Sequence, residues 1–276
     1  MSFADREASR ADGQPFHLYR FKIGPADEDV LCYTNVATSM SHLDETYIPL
    51  PITHGDVVSS GSLDRTSLTV TSPDESDLAE LYRNQPPSYV ITLVIYQGHI
   101  GDAGYAVAWA GRVLGGSFED DRLELECEPI MSSLRRPGLV RDYQYACPLV
   151  LYGTRCRANK AAATYEVTAT AVNGPLITLP GAWVSGDLKD KFVGGIAEWT
   201  NAAGRTERLS VVDRDGDIFQ LSSYGNDLMI GTEMTMVLGC NHLMDDCEEV
   251  HDNILNFGGQ PEIPLKNPVG FTDSYN

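Results

Sequence analysis

Four of the six cysteines in this chain fall into two pairs in its second half, Cys147 with Cys156 and Cys240 with Cys247. Eight residues lie inside the first pair and six inside the second. Thiolate sulfur is what an iron–sulfur cluster requires and what structural zinc favours, so four thiolates converging on one point would make a metal centre. Zinc ribbons ordinarily use tight Cys-x-x-Cys knuckles, and neither pair has that spacing. Wider loops suit a cluster whose ligands come from separate turns, with zinc as the alternative. His242 and His251, close to Cys240 and Cys247, allow a mixed Cys/His zinc site. Four unrelated buried thiols would need no metal at all.

The surroundings of each thiol carry further expectations. Cys147 precedes Pro148 in an apolar stretch, and Arg155 and Arg157 flank Cys156, where they would offset the charge of a thiolate-ligated group. Cys240 follows Gly239 at the end of a predicted strand. Cys247 is predicted to begin a short helix, with Asp245 or Asp246 as N-cap and Val250, Ile254 and Leu255 on the apolar face. That place near a helix N-terminus favours the thiolate. The other two cysteines read differently. Cys32, in Val30-Leu31-Cys32-Tyr33, and Cys127, on the apolar face of a strand, are expected to pack as small hydrophobes.

The elements that must position these residues are mostly strands. Segments rich in Val, Ile, Thr, Tyr and Phe run over 16–23, 29–35, 66–71, 89–97, 105–113 and 122–128. The last alternates cleanly, with Leu123, Leu125 and Cys127 on one face and Glu124, Glu126 and Glu128 on the other. Ser72-Pro73-Asp74-Glu75 offers an N-cap, a first-turn proline and a capping-box glutamate for a short helix carrying Leu78, Leu81 and Tyr82. Further strands are predicted over 163–172, 176–179, 192–200, 208–212, 218–222 and 228–238. Turn signals fall at Asn173-Gly174, Asp215-Gly216 and Tyr224-Gly225. The fold class is therefore mainly β, with two barrel- or sandwich-like domains and short helices. Strand signals lapse at Arg135-Arg136-Pro137-Gly138. The expected division is 1–139, 140–257 carrying the cysteine site, and an extended Gly/Pro-rich arm over 258–276.

Composition limits the function. Across 276 residues, 39 acids stand against 20 bases, a formal charge of −19. No basic stripe exists to displace counterions from nucleic acid, so an electrostatic grip on DNA or RNA is excluded as the main activity. No apolar run approaches the roughly 18 residues of a membrane helix. The opening residues lack the apolar stretch of a secretory signal, which predicts folding in a reducing cytosol and disfavours disulfides. Asp213, Asp215 and Asp217 imitate the start of a calcium loop, but Ile218 and Tyr224 stand where glycine and glutamate are needed. Nucleophile elbow, zincin, phosphate-loop and dinucleotide motifs are all missing, so no enzyme is predicted. The rival enzymatic reading, an iron–sulfur electron carrier, has no motif for a second cofactor.

The Cys147/Cys156 and Cys240/Cys247 spacings resemble those of the tail-tip hub proteins of long-tailed phages, the family typified by the minor tail protein L of lambda. The segment Asn256-Phe257-Gly258-Gly259-Gln260-Pro261-Glu262-Ile263-Pro264, after a Cys-x6-Cys, is similar to the end of a related family of phage and gene-transfer-agent hubs. Pro49-Leu50-Pro51-Ile52, the strand 89–97 and Ala110-Gly111-Arg112-Val113 resemble that family less specifically. The resemblance implies a four-iron, four-sulfur cluster on Cys147, Cys156, Cys240 and Cys247, and no metal role for Cys32 or Cys127. It implies a structural homotrimer at the tail tip of a virion, assembled in the host cytoplasm. The partners would be the distal tube-end protein and central tip or fibre proteins, with DNA passing through the lumen unbound.

Overall fold

The computed structural model describes residues 6–9, 13–26, 29–57, 67–83, 86–101, 104–135 and 143–263. The chain divides into two compact units, Met1–Pro137 and Gly138–Asn276. The segment 136–142 that joins them, and the arm beyond Ile263, lie outside the described residues.

The first unit is one nine-stranded sheet in the order β3-β4-β2-β1-β7-β8-β9-β6-β5. The strands are β1 (Pro15–Ile23), β2 (Val30–Thr34), β3 (Met40–His42), β4 (Glu45–Pro49), β5 (Thr53–His54), β6 (Leu68–Pro73), β7 (Ile91–His99), β8 (Ala106–Glu119) and β9 (Arg122–Pro129). Pairing is antiparallel throughout except for β2 with β4. β1 and β6 stand four places apart in that order, yet Tyr19 and Phe21 share one core with Leu68 and Val70. The Tyr19 hydroxyl also meets His54 Nδ1 on the edge strand β5 at 2.7 Å. The sheet therefore curls so that its inner face encloses that core, as strand twist favours.

β1 is buried on both faces. Tyr19 and Phe21 point into the curl, while Phe16 and Leu18 pack outside it against Cys32 and Tyr47. The β3–β4 hairpin covers that outer face. It turns through Leu43 and Asp44, both with positive φ, and Arg20 grips Glu45 through Nε and Nη2. That bond to Arg20 is the main cause holding the Glu45 carboxyl below the ordinary glutamate range.

The helix signature at Ser72-Pro73 is displaced. Ser72 and Pro73 end β6, paired with Leu123 and Arg122, and helix α1 is Asp77–Glu80. Its N-cap is Ser76, whose Oγ accepts from Ala79 N at 3.1 Å. The β6 ladder outcompetes the first candidate cap, and the serine four residues on performs the same task. β3, β4 and β5 had no sequence signal: they are short, and their alternation is mostly polar.

The second unit is a seven-stranded antiparallel sheet, β10-β16-β13-β14-β15-β12-β11. Its strands are β10 (Thr164–Thr168), β11 (Ala171–Asn173), β12 (Leu176–Thr178), β13 (Ile196–Thr200), β14 (Thr206–Asp215), β15 (Ile218–Leu221) and β16 (Glu233–Val237). β10 and β11 are halves of one extended segment at the two ends of the order. Across the break, Ala169 N bonds Thr232 O and Thr170 N bonds Thr178 O. One segment thus joins both edges, and the sheet closes into a small barrel. Phe192, Trp199, Phe219 and Met236 fill it; each such side chain contributes about 2–3 kcal/mol by its burial. The Asp215-Gly216 signal is the β14–β15 hairpin, with Gly216 at φ +60°. Helix α2 (Gly186–Asp190) was not predicted, and 228–232 forms a loop where strand was expected.

Candidate metal centre

The two cysteine pairs approach from opposite ends of the second unit's sequence. Cys147 and Cys156 bracket turns that precede β10. Cys240 leaves β16 after Gly239, and Cys247 lies in helix α3 (Met244–Glu249). All four line one cavity, with Leu149, Leu151, Leu243 and Phe257 forming much of its apolar wall. Its volume is about 20 Å³. Among the described residues, no aspartate or glutamate lines it. Cys32 and Cys127 lie elsewhere, in the two cores of the first unit.

Polar side chains hold these loops where no ladder does. His242 Nδ1 lies 2.9 Å from the Cys147 carbonyl oxygen, and Cys147 N donates to His242 O at 2.7 Å. His251 Nε2 lies 2.8 Å from the Gly239 carbonyl oxygen. With each ring nitrogen donating, the two histidines fasten the ligand loops by their backbones; this differs from the mixed Cys/His site that their spacing allowed. Tyr152, at φ +58°, donates its hydroxyl to Leu238 O at 2.6 Å, tying the Cys156 turn to the end of β16. Asn253 Nδ2 donates to the Cys156 carbonyl at 2.7 Å, and Asn253 N donates to Cys247 O at 2.8 Å. Asn253 and Tyr152 gave no sequence signal, because their partners lie 97 and 86 residues away.

Three of the sulfurs also face N–H groups. Gly258 N lies 3.4 Å from Cys147 Sγ, His242 N 3.3 Å from Cys240 Sγ, and Asn253 Nδ2 3.7 Å from Cys156 Sγ. A side chain at Gly258 would press on Leu149 and come within 3.2 Å of Cys147 Sγ. Residues 258–260 run back along the Cys147 segment of the same chain, with Gln260 N donating to Gln144 O at 2.9 Å.

Several local expectations change. Helix α3 begins at Met244, three residues before Cys247, and has Leu243 at its N-cap without a side-chain bond. Asp246 instead accepts from Asn241 N and pairs with Lys191. The helix ends at Glu249; Asp252 turns into positive φ, and Leu255 is 96% exposed. Burial, followed by the neighbouring cysteines, pushes the Cys247 thiol up to about 11. Six residues of helix supply too little dipole to reverse that. Burial also raises Cys240, with the His242 N–H opposing it. Arg155 and Arg157 are exposed and do not line the cavity.

The donor set suits a soft metal group: four sulfurs, apolar walls, and N–H groups placed to stabilise thiolate charge. Among the described residues, no three His, Cys, Asp or Glu side chains are placed to hold a single metal ion. A tetrahedral zinc with bonds of about 2.3 Å would draw its sulfurs to within about 4 Å of one another.

Residues 190–267 match the family described as "Phage conserved hypothetical protein BR0599". A protein of Xylella fastidiosa (strain 9a5c), described as an uncharacterized protein, is 25% identical over 188 residues. That alignment spans 61% of this chain but only 37% of the relative. A chain in the structure "Virion of native gene transfer agent (GTA) particle" superposes with a TM-score of 0.72 at 18% identity. It covers 100% of this chain and 99% of its own length. The chain thus has, end to end, the fold of a virion component, and its second barrel carries the likeness to a phage family.

Proposed function

We propose that this chain is a structural hub of a phage-type tail tip, a non-enzymatic protein that closes the tail tube and joins it to distal tip proteins. The observation that carries the reading is the end-to-end likeness to a gene-transfer-agent virion chain. The phage family matched by 190–267 agrees with it. As a homotrimer of subunits with two β units each, the hub presents six such units, a number able to meet a sixfold tube. Its partners are the tube-end protein on one side and central tip or fibre proteins on the other, and its site of action is the virion. The charge of −19 lets DNA pass without binding, since each lumenal lysine or arginine would tether a phosphate. Electron cryomicroscopy of tail-bearing particles tests the reading. Three copies at the tube end support it; six copies, or a place on the outside of a fibre, overturn it.

Within that hub, Cys147, Cys156, Cys240 and Cys247 hold a four-iron, four-sulfur cluster. When bound, the group supplies a crosslink between loops far apart in the chain. Support comes from the shared cavity, the lack of carboxylates among its described lining residues and the three N–H groups on sulfur. Zinc on the same four thiols is the alternative, and the metal and sulfide content of the purified protein separates the two. A covalent tie spanning Cys156 to Cys240 is worth about 4–5 kcal/mol through restriction of the unfolded chain.

A further inference from the structure

The four sulfurs do not share the same surroundings. Cys147, Cys156 and Cys240 each receive an N–H, from Gly258, Asn253 and His242 respectively. Cys247 meets an acceptor instead: its Sγ lies 3.3 Å from the Asn253 carbonyl oxygen. Among the described residues no N–H is directed at it. Hydrogen bonds from N–H groups stabilise a ligating thiolate, whereas a carbonyl oxygen at that distance presents its negative end. One residue produces much of the difference. Asn253 turns its side-chain amide toward Cys156 and its backbone carbonyl toward Cys247. That orientation is locked, because Asn253 N also donates to Cys247 O and Asn253 Oδ1 accepts from Asn256 Nδ2 at 2.7 Å. Asn253 is buried, so water does not average the two environments.

We propose that the site is differentiated, with Cys147, Cys156 and Cys240 as the retained ligands and Cys247 as the corner that gives way first. This inference rests on the four-cysteine reading above. The geometry carries this: the Asn253 carbonyl oxygen lies 3.3 Å from Cys247 Sγ, where the other three sulfurs each face an N–H. The other three sulfurs have no such acceptor among the described residues at the distances given, except that Cys147 and Cys240 are partly open to solvent. The device gives the hub a defined point at which its crosslink loosens without loss of the remaining three ties.

The test is a set of single variants, C147S, C156S, C240S and C247S, purified anaerobically beside the wild type and assayed for iron, acid-labile sulfide and far-ultraviolet circular dichroism. C247S is expected to keep more than half of the wild-type iron and sulfide, while the other three lose at least fivefold. Equal loss in all four, or retention in one of the other three with loss in C247S, overturns the differentiation while leaving the four-cysteine reading intact. Wild-type protein lacking both iron and sulfide overturns that reading and the inference with it. If the variants do not fold, N253A in the wild-type background serves instead. It removes the Cys156 donor and keeps the carbonyl at Cys247, so iron loss to a chelator should quicken severalfold, with N253Q restoring part of the retention. An unchanged rate in N253A contradicts the role given to Asn253.

Discussion

Cys127 sits midway along β9, paired across the ladder with Leu68 and Val113, and its side chain is fully enclosed. Cys156, also buried, sits in a turn of the second unit with no ladder on either side. The strand thiol needs no polar partner, because β6 and β8 satisfy the backbone around it. Burial, with the neighbouring Glu126 adding to it, pushes that thiol up to about 12. In the turn, backbone groups must find partners individually. Tyr152, His242, His251 and Asn253 provide them by reaching across the loops. Cys127 is packing material in a ladder; Cys156 stands among loops held by long-range polar ties.

The strongest way to break this comparison is to crowd the backbone in each region. A Cβ at Gly111 would collide with the Glu128 carbonyl and the Trp109 ring; one at Gly239 would collide with the Val193 carbonyl. Gly111→Ala and Gly239→Ala should each cost about 3 kcal/mol in urea unfolding. Only Gly239→Ala, next to Cys240, should also lower bound iron. Equal metal content in the two would separate the β16 terminus from the site.

Replacing the thiols themselves comes next. Cys127→Ser puts a hydroxyl into an apolar core and should cost about 1–3 kcal/mol, with metal content unchanged. Cys156→Ser should show the reverse emphasis, a loss of metal exceeding its effect on sheet content by circular dichroism. A metal deficit in Cys127→Ser would make the first unit part of the site.

Tyr152→Phe is a smaller perturbation. It leaves the Leu238 carbonyl without its side-chain donor and should cost about 1–2 kcal/mol. Hydrogen exchange should report it as faster opening of the 150–157 turn with β13–β15 unaffected; uniform loosening of the barrel would show that the tie is not local.

The smallest effect separates the units by pH. Burial, aided by the adjacent His54 and opposed by Glu7, lowers His17 from 6.5 to about 4. The unfolded chain therefore binds more protons between those values. His17 contributes stability that is full above pH 6.5 and is lost as pH falls toward 4. Acid titration followed by first-unit tryptophan fluorescence (Trp109) should show that slope, and His17→Gln should flatten it. An identical slope in the variant would assign the effect to another group.

Much of this was legible from residues alone. The β9 alternation placed Cys127 inward, and the Asp215-Gly216 pair marked a real hairpin. Six strands of the first unit were located because their apolar residues alternate within one continuous stretch. What escaped notice depends on distance in the chain. The closure of the second barrel through 164–173 needs partners at 178 and 232. Asn253 and Tyr152 act across loops that no local pattern records. The helix around Cys247 was misplaced because its apolar spacing continued past Glu249, while the backbone at Asp252 could not follow. The cysteine pairs were visible as a candidate; the atoms that distinguish one sulfur from another were not.

The central claim is that four loop cysteines form one polynuclear site. The most direct measurement is iron, zinc and acid-labile sulfide content of anaerobically purified full-length protein, with a visible absorption spectrum. The account predicts about four irons and four sulfides per chain, little zinc, and a broad charge-transfer band lost in the quadruple Cys147/Cys156/Cys240/Cys247→Ser variant but retained in Cys32→Ser/Cys127→Ser. One zinc per chain without sulfide, or iron that persists in the quadruple variant, would contradict it.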